Sequence, residues 1–146
     1  MTERNTPTYR QCPECGKGQL HARLVDETFE FDLGEEKIEV HATNVPVEQC
    51  DQCGIQLSGP EAAKVHHEAV CRAAGFFTPQ EIRAIRQRLN LSQENLARLM
   101  GLEVATISLM ERGRLLPNRS SDNLLYLLEK SKDAREILEE RIKARE

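Results

Sequence analysis

Cys12-Pro13-Glu14-Cys15-Gly16 and Cys50-Asp51-Gln52-Cys53-Gly54 are the two stretches that decide how this chain folds. Each reads C-x-x-C-G, and 34 residues lie between Cys15 and Cys50. Two residues between thiolates let both sulfurs reach one metal from a tight turn, at about 2.3 Å. The Gly that follows supplies the left-handed backbone that turns amides toward the sulfurs. A single C-x-x-C also occurs in redox sites. Two of them, each with its Gly, point to one tetrahedral centre made by Cys12, Cys15, Cys50 and Cys53. One structural zinc ion per chain is the expected occupant, and a rubredoxin-like iron site is the alternative. Four thiolates fill a tetrahedral metal, so no position is open for catalysis.

The residues between the knuckles read as a β-hairpin. Phe29, Phe31 and Leu33 alternate with Thr28, Glu30 and Asp32. Gly34-Glu35-Glu36 supplies a turn, and Ile38, Val40 and Ala42 then alternate with Lys37, Glu39 and His41. Period-2 alternation is the pattern of half-buried strands. The first 58 residues are therefore expected as a zinc-ribbon domain, too small for a large core and dependent on its metal. His21 and His41 are expected at the surface rather than on the metal.

The composition bounds the rest. The chain has 146 residues, 39% of them apolar and 30% charged, with 4% aromatic residues and no Trp. That is room for two small domains. No apolar run approaches a membrane span, MTERNTPTYR lacks the apolar core of a leader, and a cytoplasmic location with reduced cysteines follows. The net charge of −4 is unevenly distributed. Residues 1–77 carry 7 Lys+Arg against 13 Asp+Glu, whereas residues 78–146 carry 13 against 11. Within 78–119 the seven cations are all Arg, against four Glu. Such asymmetry suggests partners of opposite charge.

Residues 59–77 read as a helical linker. Pro60 and Glu61 open it, Ala62, Ala63, Val65, Ala69, Val70 and Ala73 give it a narrow apolar face, and Gly75 ends it. His67 and Cys71 are four apart and can reach one metal, but no further ligand accompanies them; Cys71 reads as a half-buried structural thiol. Beyond it, Thr78-Pro79-Gln80-Glu81 is a capping box with Pro at the first helical position. Ile82, Ile85 and Leu89 repeat at helical spacing. Ser92 caps a second helix that Gly101 ends, and a third runs from Val104 to about Arg112 before Gly113 and Pro117. Two short helices joined by a Gly-containing turn, with small Ala97 at the crossing and Ile107 pointing inward, make a helix-turn-helix. Segments 122–131 and 133–145 are amphipathic and leucine-rich, and are expected to form a dimer interface.

LNLSQENLARLMGLEVATISLMERGRLLP resembles the XRE, or phage-repressor-like, helix-turn-helix family. The whole chain over about residues 10–130, a CPxCG–hairpin–CxxCG ribbon followed by that module, resembles the MqsA antitoxins with their YgiT-type zinc finger. The resemblance implies an α+β chain of two small domains, a zinc ribbon at 1–58 and a five-helix all-α DNA-binding and dimerisation domain at 78–146. It also implies a homodimeric antitoxin whose zinc domain binds a ribonuclease toxin and whose helix-turn-helix represses the operon encoding both. A stand-alone regulator, whose ribbon binds another protein or senses metal, is the alternative.

Carried onto this sequence, the resemblance turns Val104, Ala105, Thr106, Ser108 and Leu109 toward the major groove of operator DNA. Relatives often place Gln, Asn, Arg or Lys where Ala105 and Leu109 stand; aliphatic residues there cannot make bidentate base contacts. Gln93, Arg112, Arg114, Asn118 and Arg119 are the expected backbone anchors. Glu27, Glu30, Asp32, Glu35, Glu36 and Glu39 follow the hairpin and are the expected contact for a cationic ribonuclease. No Ser/His/Asp set, P-loop or dinucleotide motif supports an enzyme.

Overall fold

The computed structural model describes residues 10–146. The stretch in which no leader was expected lies almost wholly outside the described residues. A four-stranded antiparallel sheet, in the order β1 (Arg10–Gln11), β2 (Gln19–Leu33), β3 (Glu36–Cys50) and β4 (Gln56–Ser58), precedes six helices. These are α1 (Pro60–Ala74), α2 (Pro79–Arg88), α3 (Gln93–Met100), α4 (Val104–Glu111), α5 (Arg119–Lys130) and α6 (Lys132–Ala144).

The hairpin is longer than the clean alternation in the sequence. Its 15-residue strands run from the Gly34-Glu35 turn to the knuckles, with Leu33 paired to Glu36 and Leu20 to Cys50. Gly34 has φ 65° at the first turn position, as a two-residue hairpin turn requires. Partway along, Thr43 and Asn44 bulge opposite Asp26. Asn44 takes φ 55°, and its N–H donates to Asp26 Oδ1 at 3.0 Å. The extra residue shifts the parity of β3. Val40 and Ala42 before it, and Val45 and Val47 after it, all join one core. Without the bulge, Val45 and Val47 would face solvent.

The helix over 60–74 does more than connect. α1 lies on β3 and buries Ala62, Ala69 and Val70 against Val40, Ala42, Val45 and Val47. Ala63 and Ala73, expected on its apolar face, are exposed. Cys71, expected half-buried, is fully buried: it packs with Ala74 and Phe76 beneath Leu33, Ile38 and Leu116. Ser58 ends β4, leaving Gly59 at the start of α1.

The C-terminal five helices share one core of Ile82, Ile85, Leu96, Ala97, Leu99, Met100, Ile107, Met110, Leu125 and Leu128. Local signals start the helices as the sequence indicates. Thr78 and Glu81 form a reciprocal capping box, and Ser92 Oγ accepts from the Asn95 N–H at 3.1 Å. Gly101, φ 72°, makes the turn into α4's approach. The last two helices begin three residues and one residue earlier than expected, because Asn118 and Ser131 cap them.

Within this core Glu111 is a buried charge that the sequence did not mark. Its side chain is fully buried and receives Arg86 Nε at 2.5 Å and Nη2 at 3.2 Å, with Gln93 Nε2 at 2.7 Å. Burial alone would raise its pKa. Hydrogen bonds from Arg86 and Gln93 and the charges of Arg86 and Arg83 overcome that and hold the carboxyl below its usual value. Because the folded pKa lies below the unfolded value near 4.3, its stabilisation is complete above that pH and is lost as pH falls through the folded pKa. Glu111→Ala, which strands Arg86, is expected to cost about 3–5 kcal/mol. Glu111→Gln should flatten the acid-side loss of stability. Urea unfolding of wild type and both variants at pH 7 and pH 4 checks this.

Candidate functional site

Two turns bring the four cysteines together. In the first, the Gly16 N–H donates to Cys12 O at 3.0 Å, and the Cys12 N–H to Gly18 O at 2.9 Å. In the second, the Gly54 N–H donates to Cys50 O at 3.2 Å, and the Cys50 N–H to Ile55 O at 3.0 Å. Gly16 and Gly54 sit at φ 67° and 75°, the left-handed backbone that each C-x-x-C-G needs. Antiparallel pairing of β2 with β3 then carries one turn onto the other, and an Asp51 N–H to Gln19 O bond of 3.1 Å ties them.

The four Sγ atoms all lie within 4.8 Å of one another. Cys12 and Cys53 are 3.8 Å apart, and Cys15 and Cys50 3.6 Å. A tetrahedron of sulfurs about 2.3 Å from a metal has edges of about 3.8 Å, so the set fits one zinc ion. The four thiolates would more than neutralise its charge and clamp it, leaving no ligand position free. Cys12 and Cys50 are buried with Leu20, Cys15 is half-buried, and Cys53 is exposed.

Backbone amides prepare the sulfurs. The Gly18 N–H reaches Cys15 Sγ at 3.4 Å, and those of Gln52 and Cys53 reach Cys50 Sγ at 3.4 Å. Amides of Gly18 and Lys17 pull the Cys15 thiol down to about 6, and the Cys53 amide lowers Cys50. The Ile55 amide favours the Cys53 thiolate, but desolvation and the neighbouring sulfurs outweigh it and push that thiol up to about 12. Charge gathered on two sulfurs thus resists a third, and a divalent cation removes that resistance.

Two residues outside the C-x-x-C-G pattern support the centre. A Cβ on Gly18 would stand 2.3 Å from Cys50 Sγ, so only Gly fits there. Asp51 Oδ1 accepts the Gln19 N–H at 3.0 Å, and its Oδ2 lies 3.1 Å from His21 Nε2. His21 therefore braces the second knuckle, half-buried, while His41 is exposed beside Glu39 and Thr28. His67 and Cys71 gather no third ligand: the four-cysteine set is the only group of three or more such side chains placed for a metal among the described residues. Burial pushes the Cys71 thiol up to about 11.

The helix-turn-helix presents a second surface. α4 buries Ile107, Met110 and Glu111 and exposes Val104 and Ala105, with Thr106, Ser108 and Leu109 half-buried. Arg112 and Arg114 are exposed past its end, and Arg112 Nε donates to Ser108 O at 3.3 Å. The other expected anchors have internal tasks. The Gln93 amide holds Glu111, and Asn118 Oδ1 caps α5 by accepting the Ser121 N–H at 2.8 Å. Arg119 donates to Ala74 O at 2.8 Å and lies 4.6 Å over the Phe76 ring. With Leu116 packed on the hairpin core and the Phe77 N–H bound to Asp122 Oδ1 at 2.9 Å, Arg119 ties the helical half to α1.

The chain matches the family model described as the antitoxin component of a bacterial toxin–antitoxin system, MqsA, over residues 10–141. The chain belongs to the MqsA antitoxin family. Comparison with curated proteins finds no match. The match spans both halves of this MqsA-family chain, the four-cysteine centre and the helix-turn-helix alike. No helix among the described residues is long and apolar enough to cross a membrane.

The acids expected to meet a toxin do not share one face of this MqsA-family ribbon. Glu30 and Glu39 stand directly opposite each other on the open side, beside Asp32 and Lys37. Glu35 and Glu36 form the tip. Glu27 lies on the α1 side, 2.5 Å from His66 Nε2. Strand parity was the available signal: Glu27 shares the face of Phe29 and Phe31 and not that of Glu30 and Asp32.

The centre makes a sharp prediction. The chain should carry about one zinc, measured by elemental analysis of protein purified without chelators. Gly18→Ala, whose methyl group collides with Cys50 Sγ, should lower zinc content and affinity at least tenfold, whereas Gly59→Ala, where a Cβ meets open space, should leave both unchanged.

Proposed function

We propose that this chain is a zinc-clamped antitoxin that represses transcription as a homodimer. On this reading α4 lies in the major groove of operator DNA, the N-terminal half captures a cationic ribonuclease toxin, and the cell's cytoplasm is where both occur. The observation that carries the reading is the family match across a chain whose charge is divided. The acidic half carries 13 Asp+Glu against 7 Lys+Arg, and the arginine-rich stretch carries the helix-turn-helix.

The chemistry of each surface supports its assignment. Residues 105, 108, 109 and 112 follow the i, i+3, i+4, i+7 spacing of one helical face, turned away from Ile107 and Met110. Arg112, held at its end by the bond to Ser108 O, and Arg114 are exposed to meet phosphates, which fix register without reading sequence. Glu30 facing Glu39 costs the bare hairpin stability, and a cationic partner lifts that cost. Leu127 and Ile137, 54% and 64% exposed on α5 and α6, supply an apolar face for a second copy. A two-fold dimer would place two recognition helices about 34 Å apart, one turn of duplex.

Two assays on the full chain test the proposal. In duplex binding measured against salt, Arg112→Ala and Arg114→Ala should each weaken affinity for all sequences and reduce the log–log salt slope by about 1. Arg119→Ala should instead act through the α1 contact, lowering thermal stability. In a pull-down with the protein encoded beside this chain's gene, replacing Glu30, Asp32 and Glu39 by Lys should abolish capture, and salt should weaken it. Capture that survives the charge reversal, or absence of duplex binding at low salt, contradicts the corresponding half of the proposal.

A further inference from the structure

We infer that α4 recognises its operator through thymine C5-methyl groups and not through hydrogen-bonded base edges. The inference rests on the repressor reading and adds to it what the half-site must contain. The outward stripe of α4 is Ala105, Ser108, Leu109 and, at its end, Arg112. From Val104 to Met110 the helix holds no Arg, Lys, Asn, Gln, Asp or Glu. Telling guanine or adenine from other bases in the major groove takes a fork of two donors or a donor–acceptor pair. Nothing on this stripe ahead of Arg112 offers one. The Ser108 and Thr106 hydroxyls both donate and accept, so they adapt to any base edge.

The neighbouring helix does not make up the lack at Gln93. Its amide nitrogen donates to Glu111, in a network closed by Arg86. Arg112 is drawn back along its own helix by the 3.3 Å bond from its Nε to Ser108 O. It is thereby set at the stripe's end, where phosphates lie, and not at its centre.

What the stripe does offer is aliphatic carbon. The Ala105 methyl and the Leu109 side chain lie one turn apart, and Val104, 42% exposed, widens the patch. In the major groove the apolar group on a base edge is the thymine methyl. An apolar stripe bordered by Arg112 and Arg114 is complementary to a groove with methyls on its floor and phosphates on its walls. The half-site is then thymine-rich where Ala105 and Leu109 touch it.

The experiment uses the full zinc-loaded chain and a random 20-bp duplex pool. Bound duplexes are enriched and sequenced, and the best binder is resynthesised with uracil replacing each thymine in turn, which removes one methyl and no hydrogen-bonding group. The expected result is enriched half-sites with two fixed thymines, at each of which uracil weakens binding about fourfold. Uracil elsewhere should have no effect. Leu109→Ala should erase the uracil penalty at one of those two positions, and Leu109→Gln should turn its preference from thymine toward adenine. If neither variant folds, as judged by circular dichroism melting, the uracil series on the unaltered chain decides alone. Half-sites fixed by guanine or adenine, with no penalty for uracil, overturn the inference while leaving the repressor reading in place. No binding to any duplex at low salt overturns both.

Discussion

Four cysteine sulfurs within 4.8 Å of one another repel once deprotonated, and one divalent cation turns that repulsion into a clamp. The rest of the N-terminal half depends on it. A lone two-stranded hairpin is marginal in water, and β2 and β3 are 15 residues each. One end is closed by the Gly34-Glu35 turn and the other by the metal centre, because Cys50 is the last residue of β3 and pairs with Leu20. Between these two closures the bulge at Asn44 keeps both segments of β3 facing α1. The clamp thus holds the sheet, the sheet holds α1, and α1 presents Ala74 O and Phe76 to the helical half through Arg119.

The helical half has a different kind of anchor. Arg86, Gln93 and Glu111 join the ends of α2, α3 and α4 by charge-assisted hydrogen bonds inside an aliphatic core. This fixes α4 against α3 from within and leaves its outer stripe without duties. The loop after α4 is also fastened, with Leu116 in the hairpin core. A helix-turn-helix edged by exposed arginines and a hairpin lined with acids are thereby carried on one framework.

The metal centre, the helix caps and the helix-turn-helix were legible because each depends on residues close in sequence. C-x-x-C-G, Thr78–Glu81 and Ser92 dictate their own local geometry, and the structure places them as read. The hairpin was legible only near its turn. Past Ala42 the alternation breaks, and Thr43-Asn44 was a bulge signal, since Asn tolerates positive φ. The buried Glu111 was not legible, because its partners Arg86 and Gln93 come from two other helices. Nor was the docking of Arg119, whose partners Ala74 and Phe76 come from a distant stretch of the chain. Gly18 could have been found only from the structure, since its constraint is a sulfur 32 residues away.

Hydrogen–deuterium exchange on the full chain, zinc-loaded and after chelation, tests the clamp most directly. Removing the metal should sharply accelerate exchange at Gln19–Val25 and Val45–Cys50, the metal-proximal ends of β2 and β3, while amides of α2 to α5 keep their protection. Unchanged protection in those strand ends would contradict the claim that the metal holds the fold, as would equal loss throughout the helical half.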